Sequence, residues 1–151
     1  MPVDPALVGT RYPEFRTAAE RGRLRFFAKA TGQHDPAYTD LDTARAAGHP
    51  DLPIPPTFLF CLEMDNPERG AFLRDLGIDI RTILHGGQDF AYHAPAHAGD
   101  ELTFATEVTD VYSKKGGALG FIVRTTRVTR DGTPIATLTS TTVVRDPKAA
   151  R

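Results

Sequence analysis

Four polar side chains crowd one tight turn, Gln33, His34, Asp35 and Tyr38 within GQHDPAY. Asp35 and Tyr38 could serve as an acid/base pair, one group removing a proton while the other delivers one. Each also has a plainer use, since aspartate before proline is an ordinary turn residue and tyrosine an ordinary packing one. His85, in Leu84-His85-Gly86-Gly87-Gln88, is the best-placed further histidine. The glycines beside it permit close approach of a ligand or of another backbone. It reads equally as a satisfied histidine within a strand. Thr57 directly follows Pro55-Pro56; prolines fit the first helical positions and leave the next N–H groups free to meet negative charge developing on an oxygen.

The remaining candidates are weaker. His34 and His49 fall in loops, and His93 and His97 flank a turn and are expected to face solvent. The latter two are spaced i, i+4, but Pro95 between them rules out a shared helix face and no carboxylate stands at a regular spacing, so no metal site is expected. Gly86-Gly87 lacks the fuller pattern and the lysine of a phosphate loop. Cys61, the one cysteine, excludes an internal disulfide and reads as a small buried hydrophobe within an apolar run.

The elements that must hold these residues follow from pattern. Residues 11–16 could form a first strand. Thr17-x-x-Glu20 fits a capping box opening a helix over 18–31, with Leu24, Phe27 and Ala28 as its buried stripe. Gly32 ends that helix and Pro36 forbids its continuation. A short Ala-rich helix over 42–47 leads to prolines 50, 53, 55 and 56, and then to an apolar helix over 57–65. Its sequence is hydrophobic on nearly every side, which predicts burial at the centre of the fold. A short amphipathic helix over 68–76 follows. The second half changes period: residues 80–92, 101–112, 119–130 and 135–145 alternate as strands, with Lys115-Gly116-Gly117 and Asp131-Gly132 as hairpin turns. One early strand, then helices, then an antiparallel meander predicts an α+β fold with helices on one face of a sheet. Residues 147–151 read as a frayed end.

The 151 residues suit one domain over 1–151, and a hydrophobic content of 40% is enough to fill its core. With 18 basic and 19 acidic residues the net charge is −1, which gives no polyanion-binding surface and so excludes a nucleic-acid partner. No apolar run approaches membrane-spanning length and no charged start precedes a long apolar segment, so no membrane partner and a cytoplasmic location are expected.

Two motifs carry a more particular likeness. FAKATGQHDPAYTD (27–40) resembles the hydratase signature of the MaoC-like dehydratase family, usually written around Gly-Asp-x-Asn-Pro-x-His, and Tyr92-x-x-Pro95-x-x-Ala98-Gly99-Asp100-Glu101-Leu102 resembles its strand-turn-strand segment. With LHGGQDF (84–90) and the closing strands, the likeness covers nearly the whole chain. It is nearest to the branch found as the N-terminal half of double hot-dog dehydratases or as a separate subunit. The resemblance implies a hot-dog fold, a curled antiparallel sheet wrapped around a buried central helix. It also implies hydration or dehydration of acyl thioesters on coenzyme A or acyl carrier protein, interconverting 2-enoyl and 3-hydroxyacyl forms without a cofactor. Sheets of this kind usually pair edge to edge, so a homodimer or a heterodimer with another hot-dog subunit is implied as well.

The departures from the signature matter most. Gln33 stands where the resemblance puts the catalytic aspartate and Tyr38 where it puts the histidine, with Asp35 on the asparagine. An amide is no base at neutral pH, and a phenol with an ordinary pKa near 10 is a poor one. The likeness therefore implies either a substituted site using Asp35, Tyr38 and His85, with Gln33, Thr57 and Gly86 touching substrate, or a noncatalytic acyl-binding subunit whose partner brings the intact pair. A hot-dog thioesterase, activating water through Glu63 or Asp65 of the central helix, is a third expectation.

Overall fold

The computed structural model describes residues 3–146. Five strands form one antiparallel sheet in the order β1-β3-β4-β5-β2, comprising β1 (Phe15–Ala18), β2 (Ile83–Tyr92), β3 (Glu101–Lys114), β4 (Leu119–Arg130) and β5 (Thr133–Arg145). The long β3-β4-β5 meander is built as the alternation predicts. On β4 every second residue from Gly120 to Val128 is buried, because a pleated strand sends successive side chains to opposite faces. The β4–β5 turn is the two-residue Asp131-Gly132, both at positive φ (48° and 77°), the geometry that matches strand twist in a tight hairpin.

The helices are α1 (Arg21–Thr31), α2 (Leu41–Ala46), α3 (Phe58–Met64) and α4 (Ala71–Asp75). Leu24 and Ala28 of α1 are buried, and the helix ends on Gly32 at φ 70°. The central helix α3 lays Phe58, Leu59 and Leu62 into a core shared with Leu24, Leu52, Leu102, Phe104 and Leu138. Phe27 of α1 meets Phe58 edge-on at 5.0 Å between ring centroids, a favoured aromatic geometry. The curled sheet around this short helix is the hot-dog arrangement.

Some details depart from the sequence reading. The first strand is 15–18, not 11–16; Arg11 makes only an isolated bridge to Glu107, because Pro13 lacks the N–H that would carry the ladder through. Thr17 is thereby drawn into β1 opposite Leu102, so no capping box forms: α1 starts after Glu20, which makes no side-chain cap bond. The central helix is not enclosed all round either, for Met64 is exposed and Phe60 and Cys61 are half-buried. The expected helix over 68–76 shrinks to Ala71–Asp75, and a 3-10 turn, Ile80–Thr82, precedes β2. Residues 147–151, expected to fray, lie outside the described residues. Among the described residues no helix is long and apolar enough to cross a membrane.

Candidate functional site

The polar turn after α1 is built largely from its own backbone. The Gln33 N–H donates to the Ala28 carbonyl (2.9 Å) as α1 closes, and its side-chain Oε1 accepts from the Asp35 N–H (3.1 Å). Asp35 is exposed and opens the 3-10 turn Pro36–Tyr38 by accepting from the Ala37 N–H through Oδ1 (2.9 Å). Gln33 and Asp35 are therefore both engaged in holding the turn. Its product is the placement of Tyr38, half-buried against the head of α3.

There a cavity of about 360 Å³ opens, walled by Pro56 and Leu59 at the start of α3, by Tyr38 and His49, and by Tyr92 and His93 at the end of β2. Apolar walls with a few convergent polar groups are the usual form of a small-molecule site. Burial pushes the Tyr92 phenol up. His93 Nε2 lies 3.1 Å from the Thr137 hydroxyl. His49 Nδ1 lies 3.1 Å from Nε2 of His97, so one ring donates and the other accepts. Thr57 sits at the N-cap of α3 with its side chain exposed and making no cap bond, and it is not part of the cavity wall.

His97 corrects an expectation, being buried where solvent exposure was predicted. The segment 96–98 folds back onto 52–54, with Ile54 N–H donating to Ala96 O (2.8 Å) and Ala98 N–H to Leu52 O (2.9 Å). Asp100 fixes this fold, accepting at one oxygen from the His97 N–H (2.8 Å) and from Arg130 (2.6 Å). Desolvation pushes the His97 pKa down, with the charge of Asp100 opposing. His49 and His97 carry no motif in the sequence; only the pairing of the 52–54 and 96–98 loop segments brings them together.

His85 does not join Tyr38. It lies on β2 with its ring 5.5 Å from that of Phe60, beside a different cavity that also contains Arg69 and Arg124. Gly86 between them marks a bulge, since the register steps from His85↔Thr142 to Gly87↔Thr141. A Cβ at Gly86 would come within 2.7 Å of Val143 Cγ2, so the close approach that this glycine permits is to β5. Glu63 is buried, its Oε1 accepting from the Thr126 hydroxyl at 2.6 Å, and Asp65 is held by Arg23 at 2.5 Å. Cys61 is half-buried against the core, and burial pushes its thiol pKa up, away from nucleophile character. Among the described residues no three metal-ligating side chains cluster.

Known proteins share this architecture. Residues 6–138 match the FAS1-like dehydratase domain region family. A UPF0336 protein of Saccharopolyspora erythraea is 37% identical over 147 residues, covering 96% of this chain and 93% of its own. Among solved structures, a MaoC-like dehydratase superposes with a TM-score of 0.81 at 27% identity, over 95% of this chain and 43% of that one. A chain of the Mycobacterium tuberculosis HadBC complex, described as a 3R-hydroxyacyl-ACP dehydratase, superposes at 0.73 with 25% identity, over 90% of this chain and 96% of that one. The chain thus belongs to the FAS1-like dehydratase-region family of hot-dog proteins.

Proposed function

We propose that this chain is the acyl-thioester-binding subunit of a heteromeric 2-enoyl-thioester hydratase or 3-hydroxyacyl-thioester dehydratase, the acid/base pair coming from a partner hot-dog subunit. One observation carries the reading: of Asp35, Tyr38 and His85, only Tyr38 reaches the cavity at the head of α3, while Asp35 caps its own turn and His85 faces elsewhere. That leaves a shaped cavity of about 360 Å³ without the carboxylate that would hold and deprotonate water. The outer edge of β2, unpaired among the described residues, offers backbone donors and acceptors to a partner strand. The half-covered Phe60 and Cys61 of α3 are the surface that such a partner would enclose. The likeness to a chain taken from a two-subunit dehydratase complex supports the same assembly.

A second reading rests on His49 and His93, which line the same cavity as Tyr38. Either could act as base in a self-sufficient homodimeric enzyme, Tyr38 then delivering the proton. The two readings separate when purified protein alone is given crotonyl-CoA and a longer 2-enoyl-CoA and the enoyl absorbance is followed. The subunit reading expects acyl-CoA binding without turnover. Saturable hydration abolished by Tyr38→Phe or His93→Gln would replace it with the second.

A further inference from the structure

The cavity beside His85 has a chemistry that the thioester reading does not use. It measures about 360 Å³ and lies between the far end of α3, α4 and the edge strand β2. Among the described residues its polar lining consists of Arg69, Arg124, His85, Asn66 and Thr142, with no acidic residue, and the rest is apolar, including Phe72, Leu73 and Ile83.

The two arginines are unusually placed. Arg124 is only 6% exposed, its Nε is buried without a partner, and its guanidinium stacks 4.4 Å from the centroid of Phe72. Arg69 lies 5.0 Å from the centroid of Phe60. Among the described residues neither has a carboxylate within 4 Å. Burial pushes both guanidinium pKa values down, with the charge of Glu63 opposing. Arg124 is desolvated and Arg69 partly so, and one carboxylate, Glu63, with its Oε2 buried and free of any hydrogen bond, is set against the two of them. A wall that keeps two such cations against one carboxylate is arranged to receive further negative charge.

We propose that the acid-free cavity formed by Arg69, Arg124 and His85 binds a monocarboxylate with an apolar body, the carboxylate meeting the guanidinium forks and the body lying on Phe72, Leu73 and Ile83. Guanidinium pairs a carboxylate through two parallel hydrogen bonds, which fixes its orientation as well as its charge. Two arginines set against the nearby Glu63 leave one positive charge to neutralise, which suits a monoanion better than a phosphate dianion. The apolar wall adds what a bare inorganic anion could not use. A neighbouring cavity of about 480 Å³ shares Arg69 and Arg124 but also has Glu14, Glu63, Glu68 and Asp75 in its wall, so like-charge repulsion keeps an anion on the His85 side.

The cavity borders the β2 edge and the Phe60 surface assigned above to a partner, but its space is distinct from the thioester cavity at the head of α3, and the test on the purified chain alone separates the two. Octanoate is titrated into the purified protein by calorimetry, alongside 1-octanol, octylammonium and inorganic phosphate. Saturable octanoate binding is expected, with the three controls at least about tenfold weaker, the loss associated with one charge-assisted hydrogen bond. Arg69→Met, on a half-exposed side chain, is expected to weaken octanoate about tenfold by the same reasoning and leave thermal unfolding close to wild type. Leu84→Trp, at the exposed rim, is expected to block it sterically, and Tyr38→Ala to leave it unchanged. Octanol binding as tightly as octanoate, undiminished binding by folded Arg69→Met, loss on Tyr38→Ala, or no octanoate binding at all would overturn the assignment.

Discussion

Replacing Gly86 by alanine tests whether the bulge in β2 is enforced by packing. The new methyl would lie 2.7 Å from Val143 Cγ2, 3.2 Å from the Thr141 carbonyl oxygen and 3.3 Å from Thr141 Cγ2. Carbon atoms in contact sit about 3.5–4.0 Å apart, so β2 must shift or Val143 must leave its rotamer. Inserting one methyl into a packed site in this way costs about 1–3 kcal/mol. For a chain of this size that lowers Tm by roughly 2–4 °C for each kcal/mol. Val143→Ala removes the nearest clashing methyl and by itself costs about 1.6 kcal/mol at ~0.8 per buried carbon. The double variant should therefore be more stable than the sum of the single losses by about 1 kcal/mol, as expected for residues in direct contact. Urea denaturation of the four proteins in the cycle measures this coupling. A Gly86→Ala variant as stable as wild type, or strictly additive losses, would refute the packing account of the bulge.

Other outcomes follow from the same geometry. The folded-state pKa of His97 is depressed by burial, so the unfolded chain takes up the proton first. The stability from its neutral ring is complete above the ordinary histidine pKa, near 6.5, and is lost as pH falls through the lower folded value; His97→Gln should flatten that part of a stability-versus-pH curve. Leu62→Ala, at a fully buried core position of α3, should cost about 2–5 kcal/mol in urea unfolding. Asp35→Ala removes only a turn cap and should cost about 1 kcal/mol, while leaving acyl-CoA affinity within twofold of wild type; a large loss of affinity would show that the carboxylate touches substrate.

The second half of the chain was legible because alternation is a strong signal: β4 begins and ends where its pattern does, and Asp131-Gly132 states its own turn. The apolar run at 58–62 likewise declared the central helix. Boundaries set by tertiary pairing were less visible. Thr17 carries the pattern of a helix cap, yet its backbone is more useful opposite Leu102 in the sheet. The candidate site was legible only in part. The turn chemistry of Gln33, Asp35 and Tyr38 could be read, but not that the first two would each hold the turn through one side-chain oxygen. His85 and Tyr38 look equally eligible in one dimension, and only the sheet topology sends them to different cavities. The His49–His97 contact joins two loops 48 residues apart and the buried pairing of Glu63 with Thr126 joins α3 to β4, and no local spacing announces either.

The central claim is that acyl thioesters occupy the cavity at the head of α3. A photoreactive acyl-CoA carrying a diazirine on its acyl chain, irradiated with the protein and mapped by mass spectrometry, tests this most directly. The account predicts saturable labelling of Tyr38, Tyr92 or His93, displaced by unlabelled 2-enoyl-CoA. Labelling confined to the Arg69–Arg124 cavity, or labelling that excess enoyl-CoA does not displace, would contradict it.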